Sequence, residues 1–152
     1  MLFTKEMIIE ALQKKEYATL ITEGEQGLAS RTMTFGFLPD NKIFLLTHKG
    51  TEKLTDINFS KQGLLHLSKI AENVAESYDI SIRGNFNLIE FSNPLYQTGV
   101  DVLAQKVPQV KDMLTANESS QNHYQLIMFQ INSLKGWNYL QILSGLPKTV
   151  VI

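Results

Sequence analysis

Thr47, Thr51 and Lys53, with the free backbone N–H groups of a helix start, are the residues of this chain whose types and spacing fit the seating of a phosphate. They lie in one stretch, Gly27 to Lys53. Ser30, Thr32 and Thr34 alternate with Ala29, Arg31, Met33 and Phe35, which is the period of a strand with two unlike faces. Pro39-Asp40-Asn41 marks a turn, Lys42 to Thr47 a second strand, and Gly50-Thr51-Glu52-Lys53 the start of a short helix. Hydroxyls, unpaired backbone N–H groups and Lys53 thus gather at one strand end, where a helix start favours negative charge.

Other chemistries are excluded or unsupported. No cysteine is present, so thiolate catalysis, disulfides and cysteine-bound metals are ruled out. His48, His66 and His123 show no metal-ligand spacing, and no Gly-x-Ser-x-Gly motif marks a hydrolase. The near-balance of 14 basic and 15 acidic residues gives no field for nucleic acid or a membrane surface. With neither a leader-like start nor a long apolar span, the expected location is the cytoplasm. A length of 152 residues, 43% of them hydrophobic, predicts one domain over residues 1–152.

The elements that position these residues follow from periodicity. Thr4 caps a helix to about Lys15 with Met7, Ile8, Ala11 and Leu12 on its apolar stripe. Tyr17 to Thr22 reads as a strand that forms a hairpin with the Gly27 stretch. Thr51 to about Phe59 is a short helix, and Gly63 to Ser68 a strand. Tyr78 to Leu88 alternates cleanly, with Gly84 marking a bend or bulge. Asn93-Pro94 opens a helical region divided by Pro108 and ending near Leu114. Ala116 to Asn122 reads as a polar loop, Tyr124 to Ile131 and Gly136 to Leu143 as two strands, and Thr149 to Ile152 as an apolar tail. About seven strands with short turns predict a mainly β (α+β) fold, an antiparallel barrel with peripheral helices, a sandwich being the alternative.

The succession Tyr17-Ala18-Thr19-Leu20-Ile21-Thr22, Gly27-Leu28-Ala29-Ser30-Arg31, Ile43-Phe44-Leu45-Leu46-Thr47, Thr51-Glu52-Lys53 and Ile80-Ser81-Ile82-Arg83-Gly84-Asn85-Phe86 resembles the pyridoxamine 5'-phosphate oxidase-like family of FMN-binding split barrels, in particular its short general-stress-protein branch. The resemblance spans roughly Thr4 to Glu90. It implies an antiparallel split β-barrel with FMN as cofactor, its phosphate held by Arg31 and Lys53 with help from Thr47 and Thr51. It further implies that Ser30, Thr32, Met33 and Leu46 face the ribityl chain or isoalloxazine, and Trp137 is the aromatic candidate for a flavin contact. Two departures stand out. The vitamin B6 oxidase carries an Arg and a His near its C-terminus, and nothing from Gly136 onward supplies either, so that activity is not expected. Some members also place a cation beyond the Arg31 position, where this chain has Gly36 and Phe37.

Each of these residues also has a structural reading. Arg31 and Arg83, the chain's two arginines, fit a strand salt bridge. Lys53 fits a solvated helix face, Thr47 and Thr51 fit helix capping, and Trp137 fits a core or an interface. The expected function is an FMN-dependent oxidoreductase of unknown substrate, with small-molecule donor and acceptor and no dedicated catalytic side chain. The alternative is a flavin- or haem-binding stress or carrier protein without turnover. Apolar residues on both parities of Gly63 to Ser68 and Tyr124 to Ile131 call for a cover beyond what the chain's helices supply, which predicts a homodimer, and the resemblance implies that the flavin sits at its interface.

Overall fold

The structure, a computed structural model, describes residues 2–114 and 123–152. The helices are α1 (Lys5–Lys14), α2 (Glu52–Phe59), α3 (Leu95–Ala104), α4 (Val110–Met113) and α5 (Tyr139–Leu143). The strands are β1 (Tyr17–Gly24), β2 (Gly27–Thr34), β3 (Gly36–Leu38), β4 (Lys42–His48), β5 (Gln62–Lys69), β6 (Tyr78–Ile89), β7 (Tyr124–Asn138) and β8 (Thr149–Val150). Thr4 caps α1 by accepting from the Met7 N–H. The predicted loop at Ala116 to Asn122 lies outside the described residues.

All ladders are antiparallel, and the sheet runs β2-β1-β5-β6-β7-β4-β3 with β8 added to β7. The two ends of that order, β2 and β3, are separated in sequence by Phe35 alone, so the sheet has to roll until its ends meet. This is an open, split barrel and not a sandwich. The expected single strand from Gly27 to Phe37 is therefore broken at Phe35: its first part pairs with β1 and its second with β4. The β6–β7 register shifts between Arg83 and Gly84, where the sequence predicts the bulge. A Cβ on Gly84 would sit 2.1 Å from the Gln130 carbonyl oxygen, so close backbone approach requires glycine there.

Three sequence expectations need correction. Gly136 to Leu143 is not a separate strand. β7 runs unbroken to Asn138, and Tyr139–Leu143 is helical because Asn138 and Gln141 form a reciprocal capping box. The C-terminal tail is a strand, with Val150 paired to Lys135. The second apolar face of Tyr124 to Ile131 is covered within the chain: Leu126 and Met128 pack with Phe44 beneath Val100, Leu103, Val110 and Leu114 of the α3–α4 region. The other face, with Ile127, Phe129 and Ile131, joins the main core, capped by Ile8 and Leu12 of α1 and Ile57 of α2. Burying such side chains contributes about 1.5–3 kcal/mol each, which is why this region closes on itself. On β5, Leu65 and Leu67 are core while Leu64 is half-buried on the outer face. Among the described residues, no helix is long and apolar enough to cross a membrane.

Lys106 ties the roll together. Its Nζ donates to the Leu12 carbonyl at 2.8 Å, at the end of α1, and stands 3.5 Å over the Phe35 ring. Burial pulls its pKa down from 10.5 to about 8, with Glu16 pulling weakly the other way. Because the folded pKa lies below the unfolded one, the unfolded chain binds more protons between about pH 8 and 10.5, and the lysine's contribution to stability rises with pH across that window. Urea unfolding of wild type and Lys106→Met, compared at each end of the window, should show the wild type gaining on the variant as pH rises. A constant difference would disprove the linkage.

Candidate functional site

β2 sets the geometry. Its inner face carries Ala29, Arg31 and Met33, and its outer face Ser30, Thr32 and Thr34. Arg31 stands opposite Leu20 on β1, so its side chain points to the inner side, toward Thr22. It donates to Thr22 Oγ1 at 3.1 Å and to Asp56 Oδ2 of α2 at 3.4 Å, and Thr22 also donates to Asp56 at 3.0 Å. This ion pair is largely buried, with side-chain exposures of 20% and 14%. The salt-bridge reading of Arg31 therefore holds, on the inner face.

At the end of β4, Gly50 turns the chain with φ 78° into α2. That turn gathers Thr47, Thr51 and Lys53. Lys53 Nζ donates to the buried Thr47 hydroxyl at 3.1 Å, and the Thr47 and Thr51 hydroxyls are 3.4 Å apart. Thr51 sits at the N-cap of α2 but its side chain makes no capping bond, which leaves its hydroxyl to the cluster. Burial, and then the neighbouring Arg31 guanidinium, push the Lys53 pKa down. Lys53 is therefore a half-buried cation beside a second cation, with a neutral hydroxyl as its hydrogen-bond acceptor. Asp56 is taken by Arg31.

Lys53 also forms part of the wall of a depression of about 290 Å³ at the split of the barrel. Thr32, Met33 and Leu46 line it, opposite Leu103, Val107 and Met113 from the α3–α4 region. The structure thus brings together Arg31, Thr47, Thr51 and Lys53 as a polar cluster, and sets Thr32, Met33 and Leu46 in the adjoining depression. Ser30 is exposed on the outer face. Trp137 is not in this group. It lies on β7 opposite Asp79, with Lys148 Nζ 4.3 Å over its ring, beside a separate depression.

Sequence reasoning missed Asp56 and Thr22, which are 25 and 9 positions from Arg31 and reach it only through the fold. It also missed the apolar wall from the α3–α4 region. The division at Pro108 was the available signal, since it lets the chain fold back over β4.

Sequence comparison finds neither a family model nor a curated protein that matches the chain. Solved structures do match in fold. A Clostridium acetobutylicum protein related to general stress protein 26, of the pyridoxinephosphate oxidase family, superposes with a TM-score of 0.64 at 13% identity, over 95% of this chain and 93% of its own. The haem storage protein HutZ of Vibrio cholerae gives 0.69 at 14%, over 86% and 92%. An FAD-binding protein of Mesorhizobium loti gives 0.69 at 8%, over 90% and 96%. The chain therefore has the split-barrel fold of pyridoxamine 5'-phosphate oxidase-type proteins, a fold whose members include flavin and haem binders.

Gly24 is tied to the cluster by space. A Cβ there would lie 2.1 Å from Asp56 Oδ1, so any side chain expels the carboxylate that partners Arg31. Gly24→Ala and Asp56→Ala should each lower stability by about 1–3 kcal/mol, the cost of leaving a partly buried guanidinium poorly paired. Because both remove the same interaction, the double variant should lose clearly less than the sum in urea unfolding. Simple additivity would show that Gly24 and Asp56 act separately.

Proposed function

We propose that this chain is one cytoplasmic FMN-binding domain that works as an FMN-dependent oxidoreductase, and that it is not a true pyridoxamine phosphate oxidase. The observation that carries the reading is Lys53: a half-buried cation, pushed toward losing its proton by burial and by Arg31, whose hydrogen-bond partner among the described residues is the Thr47 hydroxyl. A phosphate dianion beside it offsets both effects. Lys53 would supply the charge, Thr47 and Thr51 the hydroxyl donors, and Arg31 those guanidinium N–H groups not spent on Asp56 and Thr22. Thr32, Met33 and Leu46 then offer a mixed polar and apolar bed for the rest of the molecule. When bound, FMN supplies reversible uptake of electrons, so the chain needs to provide position and exclusion of water and no dedicated acid or base. The fold relatives that bind flavin support this reading, and those that bind haem define its alternative, a carrier without turnover.

The proposed working unit is a homodimer. A depression of about 290 Å³ is smaller than the roughly 300–1,000 Å³ of sites that enclose drug-sized ligands, so the flavin ring would need a second copy to cover it. The outer face of β1, β2 and β5 is the surface that fits, since Ile21 and Leu64 are half-buried there and Leu28 is 77% exposed.

Mass spectrometry of the small molecule released by heat should identify FMN; haem, recognised by its Soret band, would favour the alternative. Lys53→Met should weaken FMN binding by about tenfold to a hundredfold, the loss of one charge-assisted bond of roughly 1.5–3 kcal/mol, while riboflavin binding barely changes. Equal losses for the two ligands would put the phosphate elsewhere. Leu64→Asp, at an outer-face position outside the core, should give a folded monomer that retains less flavin. A wild-type monomer with tight FMN binding in light scattering would refute the dimer.

A further inference from the structure

Away from the Lys53 cluster, Lys106 stands at a hollow of its own. α3 lies tight on β3: a Cβ on Gly36 would come 2.8 Å from Val102 Cγ1, so glycine there lets the helix approach. Gln105 ends α3, and the Lys106 N–H turns back to the Leu103 carbonyl at 3.1 Å. That turn sets Lys106 beside the gap between α1, β3 and α3, a depression of about 250 Å³. Phe37, Leu38 and Val102 form apolar walls, and Gln13, Gln105 and Lys106 a polar edge. Both glutamines are exposed, and neither amide has a hydrogen-bond partner among the described residues.

Lys106 is the charged residue of this lining, and no carboxylate pairs with it among the described residues. Glu16, following α1, acts on it weakly and from a distance. Burial prevails and brings its pKa to about 8, so that at pH 7 roughly a tenth of the amine carries no proton, against less than about one part in a thousand for an exposed lysine. The neutral amine has two N–H groups and one lone pair. The Leu12 carbonyl accepts one N–H and the Phe35 ring faces the nitrogen at 3.5 Å, which leaves the lone pair for the depression. A desolvated lysine of this kind is a nucleophile toward carbonyl carbon.

We propose that this depression captures a short aliphatic aldehyde as an imine on Lys106 Nζ. The lone pair forms the C–N bond, the C=O π pair moves to oxygen, and one amine proton passes to that oxygen through solvent. The Gln13 and Gln105 amides donate to the oxygen while it carries charge. The proton that Nζ had shed to solvent returns to the new hydroxyl, which leaves as water, and the nitrogen pair closes the C=N bond. The product keeps one N–H for the Leu12 carbonyl and a diffuse positive charge over Phe35, so it fits where the ammonium sat. A cavity of roughly 150 Å³ holds one benzene ring, so an aldehyde of about four to six carbons fits this hollow and a polycyclic one does not. The site shares no lining residue with the depression at Lys53, so it stands independently of the flavin reading.

The test is incubation of the full chain with butanal and sodium cyanoborohydride near neutral pH, followed by peptide mapping over time. Lys106 should take up the butyl group about tenfold faster than the exposed Lys5 and Lys61. Anthracene carboxaldehyde should label those exposed lysines and leave Lys106 unmarked. Gln13→Leu combined with Gln105→Leu, both at exposed positions, should slow butanal capture severalfold with urea stability unchanged. Lys106→Arg should abolish the fast phase and leave FMN retention as it was, which separates this site from the phosphate cluster. Labelling of Lys106 no faster than Lys5 and Lys61, equal labelling of Lys106 by both aldehydes, or an unchanged rate in the double glutamine variant would each overturn the proposal. The comparison of the two aldehydes needs no variant, so it decides even if a substitution perturbs folding.

Discussion

Phe35 is the one residue between the two strands that end the sheet, and that short connection dictates the shape of everything around it. β2 and β3 cannot be far apart, yet seven strands in hydrogen-bonded order lie between and including them, so the ladder has to curl. The ring is fully buried, roofed by Lys106, and the same lysine reaches the last turn of α1. Curling brings β2 alongside β4 without a hydrogen-bonded ladder between them, and that seam is the split where the α3–α4 region and the depression at Lys53 sit. The barrel is thus closed by side chains and short helices where backbone bonds are missing.

The positive charges fall at this seam for the same reason. Arg31 is carried there by β2 and Lys53 by the turn after β4, two segments that meet only because the sheet rolls. Arg31 is stabilised inside the chain by Asp56 and Thr22, whereas Lys53 relies on hydroxyls. A fold chosen for stability alone would place a carboxylate beside Lys53 or expose it. Local rules are broken in this way mostly at functional sites, and this break is the ground of the proposed phosphate seat.

Much of the fold was legible where one local rule acted alone. Thr4 capped α1, Gly84 marked the bulge, Pro108 divided the helical region, and the alternation from Tyr78 made β6. Legibility failed where two rules competed. From Gly136 onward the apolar pattern suited a strand, but the Asn138–Gln141 capping box ended β7 and started α5. On β7, apolar residues on both parities were a true sign of two covered faces, and the cover was the chain's own α3–α4 region. The polar cluster was legible in its cations and hydroxyls and illegible in its counter-charge. Asp56 meets Arg31, and Asp79 meets His66, only through strand register and helix placement that no short window of sequence contains.

Trp137 is the predicted flavin contact that the fold keeps away from the cluster at Lys53. It lies four strands from β2 in the sheet order, about 20 Å along the surface at the usual strand spacing, so within one chain it does not reach a flavin seated at Thr32 and Lys53. The resemblance that makes it a flavin contact would require the ring from a second copy, docked through the outer face. Its own chain instead surrounds it with His66, Asp79 and Lys148.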